Sequence, residues 1–413
     1  MARRVYLHIG VMKSATSYLQ TLCEMNRERL GTEGLLWFPE EIRYQAVKDL
    51  LGRGRDTRHA VNAWSVLTQE CRHHRGDALL SDELLAALGG RQVKRLVSAL
   101  PGGEPHVVIT ARDLARVIPS HWQTTIKNGK TWTWSEFASS VCTDGVAEGG
   151  DDRRGTHSWF WRRHDLPSLV QRWAEAVPAE RITLVTVPSE SGDTETVAAR
   201  FGSVIGVDLT GLDQPDTRRN PSLGAHSAEL LRRLNESMTG EERSDPDHRF
   251  RRALGAALSA QASLEPRFAL TQAQQDWVST RARVTVEELK RLGVTVVGDL
   301  ADLVPAASPS EGSADPGDAT DSDLLSAASR GLAGLAGGFA DLRTEAVELR
   351  LQASAAEARI GALEDRVRLQ QKRIRLLRSQ RADSPDPAPR SERWRSRLSR
   401  NAFVRRVMGR PRP

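Results

Sequence analysis

The sequence predicts an α/β fold in which a parallel β-sheet is flanked by helices. Over residues 1–304, short apolar runs rich in β-branched side chains alternate with longer stretches of helical spacing. The first of these runs is followed by a glycine turn that carries a lysine and hydroxyls, a typical phosphate-binding corner. At 413 residues, 39% of them hydrophobic, the chain is long enough to build a large core.

The elements follow in a regular order, and their carboxyl-terminal strand ends are expected to meet at one edge of the sheet. Helices are predicted over 18–30, twice within 41–76 around Gly52–Gly54, from Ser81 as N-cap, over 113–128 despite Pro119, over 166–177 and through most of 222–300. A polar loop at 143–157 is expected to act as a lid. Strands are predicted over residues 5–9, 35–39, 78–80, 106–110, 181–187 and 294–297.

Composition divides the chain into four parts. After the α/β domain of residues 1–304, residues 305–324 are rich in Pro, Ser, Asp and Gly and predict a disordered acidic linker. Residues 325–381 predict a coiled coil, and residues 382–413 form a basic tail rich in Pro and Arg. The net charge of +6 fits an anionic ligand, nucleic acid or a membrane surface, and does not choose among them.

The turn after the first strand has the make-up of an anion site. Gly10 ends the strand, and Lys13, Ser14, Ala15, Thr16 and Ser17 lead into the first helix. The first amides of a helix lack partners within it, and a lysine beside them adds positive charge. Only two residues separate Gly10 from Lys13, so this loop is shorter than that of nucleoside triphosphatases. An ordinary β-turn-α corner with a surface lysine is the alternative.

The same stretch resembles the phosphosulfate-binding loop of sulfotransferases, whose usual form is Lys-Thr/Ser-Gly/Ala-Thr-Thr/Ser-x-Leu-Gln. Lys13 to Gln20 match that form, with Ala15 where glycine is common. The resemblance to bacterial, carbohydrate-type members covers roughly residues 4–303. It implies that the loop holds the 5′-phosphosulfate of 3′-phosphoadenosine 5′-phosphosulfate (PAPS), with no metal.

A second pair of residues adds to this resemblance. Arg112 follows the strand at 106–110, and Ser120 comes eight residues later in the next helix. In sulfotransferases an arginine and a serine with this spacing clamp the 3′-phosphate of the nucleotide. The planar guanidinium suits that task because it contacts two phosphate oxygens at once. Without the resemblance, an arginine at a strand end and a serine on a helix are unremarkable.

Glu83 is the candidate general base. It stands at the head of the helix after the third strand, where carbohydrate-type and bacterial sulfotransferases often place a catalytic glutamate. An acceptor hydroxyl must lose its proton as the S–O bond forms. Asp82 and Glu83 could instead only complement the helix dipole. His8 is the competing base, but its place within the first strand favours a packed role.

The resemblance therefore implies an enzyme that transfers a sulfuryl group to a hydroxyl of a glycan, glycolipid or secondary metabolite. Lys13 and Glu83 are its catalytic candidates, and Lys127, Trp132 and His164 are candidates for acceptor contacts. The first alternative is a small-molecule kinase, which the short loop and the lack of an obvious magnesium-binding Asp disfavour. The second is a non-catalytic coiled-coil adaptor with a degenerate nucleotide fold.

The C-terminal third predicts self-association. Six heptads place apolar residues, with the exception of Gln370, at positions a and d, which favours a homo-oligomer, although a single amphipathic helix folded back on the enzyme is the alternative. Residues 390–413 of the tail carry nine arginines against one acid and suit an anionic membrane, or solvent alone. No nucleic-acid partner is expected. Three scattered cysteines and the lack of a signal peptide or membrane-spanning run favour the cytoplasm. The a and d positions are Phe339, Leu342, Ala346, Leu349, Ala353, Ala356, Ile360, Leu363, Val367, Gln370, Ile374 and Leu377.

Overall fold

A computed structural model describes residues 2–50, 62–100, 102–144, 155–188, 193–215, 222–238, 249–306 and 314–382. Several predictions fall wholly or partly outside these residues: the turn at Gly52–Gly54, residues 145–154 of the lid, residues 307–313 of the linker, and the basic tail from residue 383. The described chain forms two compact units, residues 1–337 and the segment from Gly338 onward.

The first unit is built on a six-stranded, all-parallel sheet, which confirms the predicted α/β class. Its strand order is β2-β3-β1-β4-β5-β6, so β1 lies between β3 and β4 at the centre. Parallel strands that share one direction bring their carboxyl ends to one edge. The strands are β1 (Arg4–His8), β2 (Leu35–Trp37), β3 (Asp77–Ser81), β4 (Glu104–Ala111), β5 (Ile182–Thr186) and β6 (Thr295–Val297).

Helices cover the sheet and extend beyond it. Thirteen of the fourteen described α-helices belong wholly to the first unit. The helices are α1 (Thr16–Met25), α2 (Arg27–Thr32), α3 (Glu40–Leu50), α4 (Ala63–His73), α5 (Gly90–Ala99), α6 (Leu114–Lys127), α7 (Trp134–Val141), α8 (Thr156–His164), α9 (Leu166–Ala174), α10 (Thr194–Ile205), α11 (Ala225–Ser237), α12 (Arg249–Ser259), α13 (Gln272–Leu292) and α14 (Asp321–Ala382).

Successive side chains of β1 point to opposite faces of the sheet and pack into two different hydrophobic cores. Val5 and Leu7 pack into a core with α5, α9 and α13, whereas Tyr6 packs with α1 and α10 on the opposite face. From Val5 to His8 the strand is buried and flanked on both faces, as its apolar sequence requires. A third core, rich in tryptophan and phenylalanine, joins α6, α7, α8, α11 and α12. This arrangement fixes the β1–α1 turn between two packed layers.

The first unit continues past the predicted domain boundary at residue 304. Within the predicted linker, Pro316 begins a short 3-10 helix and is buried, and the Ala314 amide donates to the Arg267 carbonyl at 2.9 Å. The start of α14 then packs on the unit, where Arg330 pairs with the buried Glu265 at 2.7 Å. Apolar contacts and this ion pair therefore carry the compact unit to residue 337.

Among the described residues, no helix has the length and apolar character needed to cross a bilayer. Cys23, Cys71 and Cys142 are unpaired.

Candidate functional site

The turn between β1 and α1 exposes backbone donors at a helix N-terminus. Gly10, Lys13 and Ala15 have positive φ angles of 93°, 68° and 64°. Left-handed residues interleaved in a turn direct successive N–H groups toward one concavity that suits an anion. Ala15 is the N-cap of α1 and has no side chain to accept from the first-turn amides. These amides and the positive end of the helix dipole are therefore free to hold an anionic group.

Neighbouring β4 fixes the shape of this turn. The Val11 amide donates to the Thr110 carbonyl at 2.7 Å, and the Thr110 amide donates to the Gly10 carbonyl at 2.6 Å. Ser14 is fully buried and donates its hydroxyl proton to the Val11 carbonyl at 2.5 Å, while its Oγ lies 2.7 Å from Oγ1 of Thr110. The Ser14 side chain thus stabilises the turn. Only the backbone of Ser14 is left for the anion binding predicted for this residue.

Lys13 is half-buried at the centre of the turn. Burial lowers the pKa of its ammonium group, and the nearby Glu83 carboxylate opposes that change. None of the described carboxylates lies within ion-pair distance of Lys13. A partly desolvated cation without an ion-pair partner is costly unless an anion binds beside it.

Glu83 lies beside the turn, as the sequence predicts. Thr16 donates its hydroxyl proton to Oε1 of Glu83 at 2.5 Å, and Nε2 of Gln20 lies 3.5 Å from Oε2. A Cβ added at Gly10 would lie 3.4 Å from Cγ of Glu83, in van der Waals contact, so the turn passes directly beside this side chain. The carboxylate, Lys13 and the start of α1 therefore share one corner of the sheet edge.

The cap of the next element differs from the prediction. Glu83 begins a 3-10 helix, Glu83–Ala87, and its N-cap is Asp82 rather than Ser81. Asp82 accepts from the Leu84 amide at 2.8 Å, and burial raises the pKa of its carboxyl to about 6. Ser81 still ends β3, and its hydroxyl bonds to His8 and Gln20. The reason is geometric, because the strand continues one residue further than the apolar run indicates.

His8 is packed beneath the turn and is not exposed as a base. Its Nδ1 lies 2.8 Å from the Ser81 hydroxyl and its Nε2 lies 3.0 Å from the Thr110 hydroxyl, so it bridges β3 and β4. Complete burial lowers the pKa of its imidazole to about 3, and the positive charge of Arg43 acts in the same direction. His8 therefore holds the floor of the site as a neutral ring.

Arg43, on α3, is a buried cation that sequence reasoning missed. It is 4% exposed, stacks over the Trp37 ring with its Cζ 4.4 Å from the ring centroid, and donates to the Ser81 carbonyl. It shares the apolar face of α3 with Ala46, Val47 and Leu50. That helical spacing, with a charge on the buried stripe, is the signal that could have identified it.

Arg112 reaches the same edge from β4. It lines a cavity together with Val11, Leu114, His164, Leu166, Ala282, Thr285 and Leu303. Its buried Nε has no hydrogen-bond partner among the described residues. Burial lowers the pKa of its guanidinium, the charge of Arg116 lowers it further, and Asp113 opposes both. Asp113 is already engaged by Arg116 at 2.5 Å, which leaves Arg112 with unused donors.

Ser120 lies half-buried on α6, eight residues after Arg112. Within the described part of the chain, its hydroxyl makes no bond to Arg112, so their convergence on one anion stays a prediction. Lys127, at the end of α6, donates to the Ser259 hydroxyl at 3.2 Å. Burial lowers the pKa of Lys127 to about 8, and the charge of Lys13 contributes, which links Lys127 electrostatically to the turn.

Two of the candidates for acceptor contacts are packed. Trp132 is 5% exposed, and its ring centroid lies 5.9 Å from that of Trp159 in an edge-type contact, so it belongs to the aromatic core. His164 is buried, with Nε2 2.8 Å from Nδ1 of His121, and burial lowers its pKa to about 3. The favoured roles are packing for Trp132 and lining of the Arg112 cavity for His164.

Several other expectations concern the same edge. By its sequence, the loop at Arg218–Gly224 could touch the nucleotide, but its residues 218–221 lie outside the described part of the chain. Within the described ranges, no group of three or more His, Cys, Asp or Glu is arranged to hold a metal.

Comparisons with known proteins give a likeness of structure. No family model matches the chain, and no curated protein matches it. Among solved structures, a sulfotransferase from Alicyclobacillus acidocaldarius is similar over 71% of this chain and 96% of its own, with a TM-score of 0.40 and 14% sequence identity. At this TM-score the likeness carries no weight for function, which has to be inferred from the residues themselves.

Proposed function

We propose that the chain is a sulfotransferase that moves a sulfuryl group from PAPS to a hydroxyl of a glycan, glycolipid or secondary metabolite. One observation carries the proposal. An uncapped helix N-terminus, a lysine and a carboxylate meet at the end of β1, and an arginine follows the adjacent β4. Among the described residues, the lysine has no ion-pair partner and the buried Nε of the arginine has no acceptor.

The charge pattern fits a nucleotide with two separate anionic groups. Lys13 and the first-turn amides of α1, those of Thr16 and Ser17 included, would hold the phosphosulfate, with the Ser17 hydroxyl as a further donor. Arg112 would hold the 3′-phosphate, with Ser120 as its partner on α6. Partly buried cations at both positions are stabilised when such a ligand supplies the missing negative charge.

Glu83 would take the proton from the acceptor hydroxyl. As the acceptor oxygen bonds to sulfur, the bond from sulfur to the bridging phosphate oxygen breaks. Negative charge then develops on that bridging oxygen, where Lys13 and the amides of the turn stabilise it. The hydrogen bond from Thr16 at 2.5 Å keeps the Glu83 carboxylate oriented beside the turn. No metal enters this scheme.

Calorimetric titration with 3′-phosphoadenosine 5′-phosphate tests the nucleotide site first. We expect saturable binding that 5′-AMP, which lacks the 3′-phosphate, reproduces only weakly. An acceptor screen with sulfate-labelled PAPS then tests transfer. Failure to bind the nucleotide would contradict the proposal, and magnesium-dependent phosphate transfer from ATP would support a kinase in its place.

A further inference from the structure

The second unit leaves an apolar seam exposed. Its described part, from Gly338 onward, is the remaining length of α14, and the a and d side chains from 339 to 377 are all exposed. The large apolar members range from 73% exposed for Phe339 to 50% for Val367 and Ile374. A stripe of this length on a water-exposed helix is stable only when another helix covers it.

We infer that a second copy of this chain covers the seam, and that the two helices run antiparallel. The first argument is the size of the core side chains. Pairing about Ala358 sets each alanine of the seam opposite a longer residue, so the spacing between helix axes stays even. The resulting layers are Phe339 with Leu377, Leu342 with Ile374, Ala346 with Gln370, Leu349 with Val367, Ala353 with Leu363, and Ala356 with Ile360.

A parallel pair in register would be poorly packed by comparison. Each residue would face its own copy, so Ala346, Ala353 and Ala356 would each form an alanine–alanine layer. Ala353 and Ala356 are consecutive core positions, and the bulky layers at Leu349 and Ile360 on either side would hold the helices apart there. Voids lined by small side chains forfeit packing contacts.

Charge is the second argument. Residues 339–357 carry four acidic and two basic side chains, whereas residues 359–377 carry two acidic and six basic ones. An antiparallel pair sets each acidic half against a basic half. A parallel pair would align the two basic halves and add repulsion along their whole length.

The pairs that flank the seam fit either orientation. An antiparallel pair brings Glu345 to Arg373 and Arg350 to Glu364, whereas a parallel pair brings Glu345 to Arg350 and Arg359 to Glu364. Core size and the charge of the two halves therefore decide the orientation. The inference does not depend on the proposed enzymatic activity, because its readouts are association and cross-linking.

Disulfide trapping in the full-length chain tests the orientation. The background carries Cys142→Ser, and the buried Cys23 and Cys71 are kept. One chain carries Leu342→Cys, and a second, lengthened by an affinity tag, carries Ile374→Cys. We expect the mixture to give a covalent heterodimer under mild oxidation, because these positions face each other in the antiparallel pair.

Each single variant is the matched control for the other. Covalent homodimers of Leu342→Cys alone, with no heterodimer in the mixture, would overturn the antiparallel orientation. Sedimentation of the unmodified chain as a monomer or trimer at micromolar concentration would overturn the two-stranded pair itself. A dimer with the heterodimer pattern supports both parts.

A second variant separates the two orientations without cross-linking. Ala353→Leu places a leucine opposite Leu363 in the antiparallel pair, and the crowding should weaken the dimer at least tenfold by sedimentation equilibrium. In a parallel pair the same change fills an alanine–alanine layer and strengthens the dimer, which would contradict the inference. Ala358→Leu, at an outward position of the heptad, is the control and should leave the dissociation constant unchanged.

Discussion

Among the described residues, the β1–α1 turn and the exposed length of α14 both lack a partner, but the turn presents unpaired positive charge and α14 presents exposed apolar side chains. At the turn, Lys13 is partly desolvated and has no described ion-pair partner, and the N-terminus of α1 is uncapped. Along α14, apolar side chains such as Phe339 and Leu363 stand in water. Within the described chain, the turn lacks a negatively charged partner, and the exposed length of α14 lacks an apolar partner. The partner expected at the turn is therefore an anion, and the partner expected along α14 is another apolar helix.

The two regions also differ in what they contribute to the free energy of unfolding. The backbone of the turn is held to the sheet of the first unit, because Val11 and Ser14 form hydrogen bonds to β4. The seam of α14 lies in a unit of its own. Changes at the turn should therefore alter ligand binding or folding, whereas changes at the seam should alter association alone.

The largest expected effect is on turnover. Lys13→Ala removes the cation beside the bridging oxygen, and Glu83→Gln removes the base while keeping the shape of the side chain. We expect each to lower kcat by roughly 100- to 10,000-fold, the range typical of a lost general base or transition-state donor. The measurement is the initial rate with labelled PAPS and the acceptor found in the screen.

Lys290→Ala is the control for these variants, because Lys290 is exposed and pairs with Glu287 on α13. It should keep the full rate. Full activity of Glu83→Gln would remove Glu83 from its assigned role and leave Asp82 as the carboxylate to test next.

A matched pair of leucine variants tests the division between the two regions. Leu80→Ala empties a fully buried position of β3 and should lower the free energy of unfolding by about 2–5 kcal/mol. Leu363→Ala, at a position 59% exposed, should change it by less than about 0.5 kcal/mol at concentrations where the chain is monomeric. Urea denaturation measures the first quantity, and sedimentation should show that only Leu363→Ala weakens the dimer. Equal losses of stability would contradict the separation.

Nucleotide binding should respond next. Arg112→Ala removes a guanidinium with unused donors, and a charged hydrogen bond contributes about 1.5–3 kcal/mol. The affinity for 3′-phosphoadenosine 5′-phosphate should therefore fall roughly 10- to 150-fold by calorimetry, with the affinity for 5′-AMP unchanged. Arg91→Ala, exposed on α5, should bind normally. Equal weakening of both nucleotides by Arg112→Ala would indicate a structural role instead.

Local sequence patterns predicted the sheet because each strand carries its own signal. The runs that form β1 and β4, and the glycine turn after β1, can be read without knowledge of the rest of the chain. The helix α8 was not predicted, because the expected lid reached into its first two residues and residues 158–164 were assigned to no element. The cap at Asp82 was misassigned because strand ends are the least defined part of a periodic pattern.

Parts of the site that depend on long-range packing could not be predicted. Arg43 approaches the site from α3, and only the fold reveals that it stacks on Trp37 and reaches the Ser81 carbonyl. The contact between His121 and His164 joins α6 to α8. Likewise, the arginine–glutamate contact of Arg330 and Glu265, which extends the first unit beyond the predicted boundary, joins segments that no local pattern relates.

Acid should destabilise the floor of the turn. The pKa of His8 is about 3 in the folded chain against 6.5 in its unfolded state, so below pH 6.5 the unfolded state binds a proton that the folded state does not. The stability is therefore complete above pH 6.5 and falls by about 1.4 kcal/mol per pH unit for this group until pH reaches the folded value. Urea denaturation between pH 7 and 5 should show a shallower slope for His8→Gln, and an unchanged slope would contradict the burial.

The smallest effect concerns the backbone of the turn itself. Ala15 has a φ of 64°, in the left-handed region that costs a residue with a Cβ about 1 kcal/mol relative to glycine. Ala15→Gly should therefore raise the free energy of unfolding by about 1 kcal/mol and leave nucleotide affinity near the parent value, since the amides stay in place. Ala199→Gly, at an exposed position of α10, is the control and should lower stability by a similar amount because its backbone is helical. Opposite signs for the two changes would show that the turn keeps its left-handed geometry in solution before any anion binds, whereas a loss of stability at both positions would mean that the turn acquires this geometry only with its ligand.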